Sequence, residues 1–103
     1  LIIRGVNVFP SQIETVLLNE GYQPNYQIVV DRVNNNDTFE VNVEMNPEQF
    51  TDIVSEVLAM EKSLANAMKT MLGINPSVHL VPPKSIARSE GKAVRVIDTR
   101  KLV

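Results

Sequence analysis

The stretch Ser85-Ile86-Ala87-Arg88-Ser89-Glu90-Gly91-Lys92-Ala93-Val94-Arg95 carries the residues best suited to chemistry. It follows Pro82-Pro83, a pair that cannot donate to a strand ladder and so opens the chain into a loop. Gly91 frees the backbone just before Lys92, an ammonium on a long, flexible arm. A point charge presented in this way suits phosphate or carboxylate oxygens. Taken by itself, a Gly-Lys pair in a loop also reads as an ordinary solvated turn. Three arginines extend the basic character: Arg88 and Arg95 flank Lys92, and Arg4 stands beside Gly5 at the other end of the chain. Each has the alternative reading of a surface ion pair of small energetic consequence.

Charge is distributed unevenly. From Lys84 onward six bases face only Glu90 and Asp98, a net +4, whereas the preceding residues carry four bases against ten acids, a net −6. A basic end on an acidic body points to a local anion-facing surface. With an acidic total and few aromatic side chains, the chain lacks the footprint of a nucleic-acid binder. The sequence holds no apolar run of membrane-spanning length and no signal-like segment, and having no cysteine it has no disulfide or thiolate metal site. These features fit a cytoplasmic protein. His79 stands alone without a second histidine, so it reads as structural, and no metal site is expected.

The 103 residues suit one domain, 1–103. Because the chain starts at Leu1 directly in an apolar run, it is expected to be a fragment of a longer protein. Leu1–Val8 reads as a strand punctuated by Gly5, and Pro10 opens a helix whose apolar stripe is Ile13, Val16 and Leu17, with Gly21 as its stop. Tyr26–Val33 and Thr38–Met45 read as an antiparallel hairpin about the turn cluster Asn34–Asp37. In the second strand Phe39, Val41, Val43 and Met45 alternate with Glu40, Asn42 and Glu44, which places the acids on a solvated face.

Asn46-Pro47-Glu48-Gln49 has the form of a helix start, and the pattern runs to Leu72 before Gly73. A continuous helix there would be about 26 residues and roughly 39 Å long, so a break near Thr51–Ser55 is the alternative. Ile53, Val54, Val57, Leu58, Leu64, Met68, Met71 and Leu72 form its expected inward stripe. Ser77–Val81 and Ala93–Asp98 read as further strands. The order predicts an α+β, ferredoxin-like β-α-β-β-α-β sandwich, with two helices on one face of an antiparallel sheet, plus a C-terminal loop and short strand.

Two segments go beyond pattern. Leu1-Ile2-Ile3-Arg4-Gly5-Val6-Asn7-Val8-Phe9-Pro10-Ser11-Gln12-Ile13-Glu14 resembles the segment that opens the C-terminal domain of adenylate-forming enzymes, in the form found in phenylacetate–coenzyme A ligases. Arg88 through Arg100, containing Gly91-Lys92, is similar to the closing motif of the same ligases. The resemblance implies a two-step reaction with ATP, Mg2+ and coenzyme A: an aryl acid becomes an acyl-adenylate, and the thiol then displaces AMP. It implies that Lys92 is the adenylation lysine, bridging acyl carboxylate and α-phosphate. Arg4, Gly5 and Val6 would face the thiol tunnel in the second step, and Arg4, Arg88 and Arg95 would meet phosphates or carboxylates across a domain interface. The partner is then a large N-terminal adenylate-binding domain that precedes Leu1, and the 103 residues alone should fold without catalysing. Two other readings of the same element order are a small-molecule-binding regulatory domain and a purely structural docking domain.

Overall fold

A computed structural model describes residues 2–23, 25–86 and 96–99. The chain begins with a short hairpin, β1 (Ile2–Ile3) and β2 (Val6–Asn7), followed by α1 (Pro10–Asn19). Then come β3 (Tyr26–Val33), β4 (Asn36–Glu44), α2 (Val54–Leu72), β5 (Ser77–Val81) and β6 (Val96–Asp98). The main sheet has the order β5-β4-β3-β6.

Alternation along β3 and β4 builds the core. Their antiparallel register pairs Tyr26 with Val43, Ile28 with Val41 and Val30 with Phe39, and all six side chains are buried. On β5, Val78 and Leu80 lie beside Val41 and Val43 and extend the same face. Both helices cover it: Ile13, Val16 and Leu17 from α1 and Leu64, Met68 and Leu72 from α2 belong to the same apolar cluster. The Tyr26 hydroxyl donates to Glu14 Oε1 at 3.0 Å or the Pro10 carbonyl at 3.3 Å, so this buried ring is also fastened to α1.

The α+β class and the pair of helices on one sheet face agree with expectation, and the sheet differs in detail. It is mixed, since β4 pairs with β5 and β3 with β6 in parallel, around an antiparallel centre. The first strand does not join it. Arg4-Gly5 reverses the chain after two residues, and the edge of β3 is taken by β6. The β3–β4 turn is also tighter than the four-residue cluster suggested, with Asn34 and Asn35 at φ 52° and 64° filling a two-residue connection that requires left-handed backbone.

The second helix starts at Val54, in the region of the expected break. Asn46 does not cap it because its side chain is already engaged: Oδ1 accepts from Gln23 N at 3.3 Å and Nδ2 donates to Gly21 O at 2.9 Å. That residue ties the α1–β3 connection to the β4–α2 connection. Thr51 serves nearer the helix, accepting from Ile53 N at 3.2 Å and donating to Glu56 Oε2 at 2.7 Å.

The expected inward stripe is also shorter than its periodicity. Val54 and Leu58 are 70% and 58% exposed and Ile53 is exposed too, because α2 buries side chains fully only from Leu64 onward, through Leu64, Met68 and Leu72, while Met71 lies off that line and is also exposed. Leu64→Ala should therefore cost about 2–5 kcal/mol of stability in urea unfolding of this chain. Leu58→Ala, on the same periodic stripe, should cost less than about 1 kcal/mol.

Candidate functional site

The Arg4-Gly5 turn is built from left-handed backbone, φ 51° at Arg4 and 77° at Gly5, between the pairs Ile3–Val6 and Ile2–Asn7. Glycine is required at position 5 by conformation, since nothing lies within 4 Å of the place its Cβ would take. Arg4 has no such freedom, and a carboxylate holds it in place. Arg4 N donates to Asp37 Oδ2 at 3.1 Å, and Arg4 Nε donates to the Asp37 carbonyl at 3.0 Å. Across the β3–β4 ladder Arg32 Nε donates to Asp37 Oδ1 at 3.0 Å. The Asp37 carboxylate thus joins the Arg4 amide to the Arg32 guanidinium, while its carbonyl takes the Arg4 guanidinium, and its side chain is only 12% exposed. Arg4, Arg32, Asn35, Asn36 and Asp37 line an open depression of about 310 Å³. Val6 is half-buried against the core, so the turn stands on an apolar footing.

The other motif is approached from β5. Met45 N donates to Val81 O at 2.9 Å, after which Pro82-Pro83 stops the ladder. Lys84 takes φ 64°, and Ser85 N and Oγ both donate to Pro82 O, at 3.2 and 2.6 Å. The two amides that this bend turns away from the sheet meet one carboxylate. Lys84 N donates to Glu44 Oε1 at 2.8 Å and Ile86 N to Glu44 Oε2 at 3.1 Å. Glu44 is 4% exposed, which corrects the expectation of a solvated acid. Its side chain points to the face away from the helices, as the alternation requires. The chain after β5 folds over that face and covers it.

Arg88, Gly91, Lys92 and Arg95 lie outside the described residues. The residues flanking them are placed. Ile86 is held at Glu44, and Val96 enters β6 beside Ile28 near the start of β3. Thr99 N and Oγ1 then donate to Val30 O at 2.8 and 3.2 Å, fastening the chain after β6. Because β3 and β4 are antiparallel, Ile86 and Val96 both sit at the end of the sheet that holds Tyr26 and Glu44. The Arg4-Gly5 turn sits at the other end, with Asp37. Seven residues of β4 separate the two carboxylates, about 23 Å at a strand rise of about 3.3 Å per residue.

Neither Asp37 nor Glu44 stands out in the sequence. The first looks like a turn former and the second like one more acid on an alternating strand. His79 is exposed and lies 4.0 Å from Glu40, a surface contact. Among the described residues no group of three or more His, Asp or Glu side chains is gathered as for a metal, and no helix is long and apolar enough to cross a membrane.

These features coincide with a known family. Its model, the AMP-binding enzyme C-terminal domain, matches residues 5–100, and the chain belongs to this family. Within it, the chain is 42% identical over 104 residues to the phenylacetate-coenzyme A ligase of Escherichia coli (strain K12), a match covering 100% of this chain and 24% of that protein. The chain thus spans about a quarter of the length of the curated relatives it matches. Among solved structures, a domain of phenylacetate-coenzyme A ligase from Bacteroides vulgatus ATCC 8482 superposes with a TM-score of 0.88 at 36% identity, covering 100% of this chain and 94% of that one. A 2-hydroxyisobutyryl-CoA ligase in complex with 2-HIB-AMP and CoA, in its thioesterification state, gives a TM-score of 0.85 at 32% identity, covering 98% of this chain and 21% of that one.

The turn geometry makes a direct prediction. Gly5→Ala should lower stability by about 1 kcal/mol through backbone strain alone. Gly5→Asn should lower it less, because asparagine tolerates the left-handed region. Thermal unfolding of the three proteins checks the ranking, and a steric requirement at position 5 would instead make the larger asparagine the worse replacement.

Proposed function

We propose that this domain is the C-terminal part of an AMP-forming aryl acid–coenzyme A ligase acting on phenylacetate or a closely related acid. In the first step the acid's carboxylate attacks the α-phosphorus of ATP and pyrophosphate leaves. In the second the coenzyme A thiolate attacks the acyl carbon and AMP leaves with the bonding electrons. The observation that carries the reading is that the Arg4-Gly5 turn and the described flanks of the Lys92 segment, Ile86 and Val96, lie at opposite ends of the sheet. The carboxylates at these two ends, Asp37 and Glu44, stand about 23 Å apart along β4 at a rise of about 3.3 Å per residue. This arrangement suits a domain that offers one end to each step.

In this reading Lys92 enters the first step, its ammonium offsetting negative charge as carboxylate and α-phosphate approach. Arg88 and Arg95 supply phosphate or interdomain contacts from the same segment. Arg4, Gly5 and Val6 face the thiol in the second step. The Arg4-Gly5 peptide can approach the pantetheine arm closely, since the space beside Gly5 Cα is empty. Mg2+ arrives with the nucleotide, and the described residues of this domain gather no ligand set for it. ATP, acid and most of the coenzyme A site belong to the preceding adenylate-binding domain, and the reaction is assigned to the cytoplasm.

In the full-length protein, Lys92→Ala should lower aryl-acid-dependent ATP–pyrophosphate exchange by at least about a hundredfold, the scale on which a positioned charge acts in a transition state. Conversion of a preformed acyl-adenylate by coenzyme A should continue. Exchange at the wild-type rate would remove Lys92 from the mechanism. Gly5→Val should show the opposite balance, with thioester formation reduced more than exchange.

A further inference from the structure

The two carboxylates found above share a strand but hold different parts of the chain. Asp37 is the second residue of β4, just after the hairpin turn, and belongs to the odd-numbered set with Phe39, Val41 and Val43. Glu44 ends β4 in the even-numbered set, on the sheet face away from the helices. We propose that they are positioning residues of opposite assignment: Asp37 sets the Arg4-Gly5 turn for the thioester step, and Glu44 sets the root of the Lys92 segment for adenylation. The inference rests on the ligase reading and adds to it two residues that touch no substrate.

Geometry supports each half separately. At Asp37 one carboxylate and its own carbonyl accept from both the backbone and the side chain of Arg4. This fixes a non-glycine residue in left-handed backbone and orients its guanidinium at once. Arg32, on the second carboxylate oxygen, keeps the Asp37 side chain from turning away. The wild-type pairing therefore makes the turn a preformed surface. Without it, Arg4 would relax towards ordinary φ and the turn would lose its shape while the two-stranded pairing around it frayed.

At Glu44 both oxygens accept, one from Lys84 N and one from Ile86 N. These amides are two residues apart in a bend that the prolines prevent from pairing with β4, so the carboxylate takes the place of a ladder. It fixes where the chain leaves the sheet six residues before Lys92. An amide side chain cannot copy this arrangement. Glutamine has one accepting oxygen, and its NH2 would point at an N–H donor. The same holds for asparagine at Asp37, where two donors reach the two carboxylate oxygens. Hydrogen bonds to a buried charged acceptor are among the stronger ones in proteins, so each amide replacement should loosen one end of the domain and leave the other intact.

The test is a crossover in the full-length ligase. Asp37→Asn, Glu44→Gln and Lys92→Ala are each assayed for ATP–pyrophosphate exchange and for single-turnover thioester formation from preformed acyl-adenylate. Glu44→Gln is expected to lower the maximal exchange rate by about tenfold to a hundredfold. Its KM values for ATP and acid, and its thioester rate, should stay within about twofold. Asp37→Asn should do the reverse. A purely structural role would depress both half-reactions together, and that result overturns the proposal, as does unchanged activity in both variants. If Lys92→Ala abolishes exchange while Glu44→Gln leaves it intact, the ligase reading stands and the Glu44 assignment fails. If Lys92→Ala leaves exchange intact, the Lys92 reading fails and takes the Glu44 assignment with it. Where an amide variant does not fold, the carboxylate-keeping pair Glu44→Asp and Asp37→Glu carries the same test. The same crossover at several-fold size is then expected, and its absence overturns the proposal.

Discussion

The eight-residue antiparallel register between β3 and β4 is the constraint on which the rest of this domain depends. A strand has a period of two, so a slip of β4 by one residue against β3 would turn Phe39, Val41 and Val43 away from the face that holds Tyr26, Ile28 and Val30. The two-residue Asn34-Asn35 turn sets that register, and the buried set enforces it. Everything attached later inherits its position from this hairpin: β5 on β4, β6 on β3, and the helices on the single apolar face. The same register puts Arg32 directly opposite Asp37, and so places a carboxylate where the Arg4 turn can reach it.

The ends of β4 show how a fold dominated by apolar packing handles its irregular segments. The Arg4-Gly5 turn and the Lys84–Ile86 bend lie where the ladder stops, and both contain backbone N–H groups outside the strand pairings. In each case a single carboxylate supplies the acceptors. Covering Glu44 without such partners would be costly, whereas two amides supply partners for both its oxygens. Irregular backbone is therefore held in defined places without extending the sheet. That suits segments that must present groups to another part of the protein.

α2 illustrates the limit of periodicity as evidence. Its apolar residues recur at helical spacing from Val54 to Leu72, and the helix forms over that whole span. Burial requires something on the other side, and α1, ten residues long, and the sheet cover only the later part. Asn46 was legible as a residue that favours caps, but two loops compete for its amide group and win. Local preference identified the type of hydrogen bonding and left its partner open.

By itself the sequence determined the strands β3 and β5, the two helices, the alternating core face and the positions along the chain of both candidate motifs. Those features depend on short-range rules: side-chain period, proline and glycine geometry, and residue type. Tertiary structure alone decided that Ile2–Asn7 folds into a separate hairpin, that the sheet is mixed, that α2 begins at Val54, and that Glu44 is buried. It also decided that Asp37 serves Arg4, 33 residues away, and that Glu44 serves Lys84, 40 residues away. Strand alternation says which way a carboxylate points. Only the folded chain brings across that face the amides it will accept.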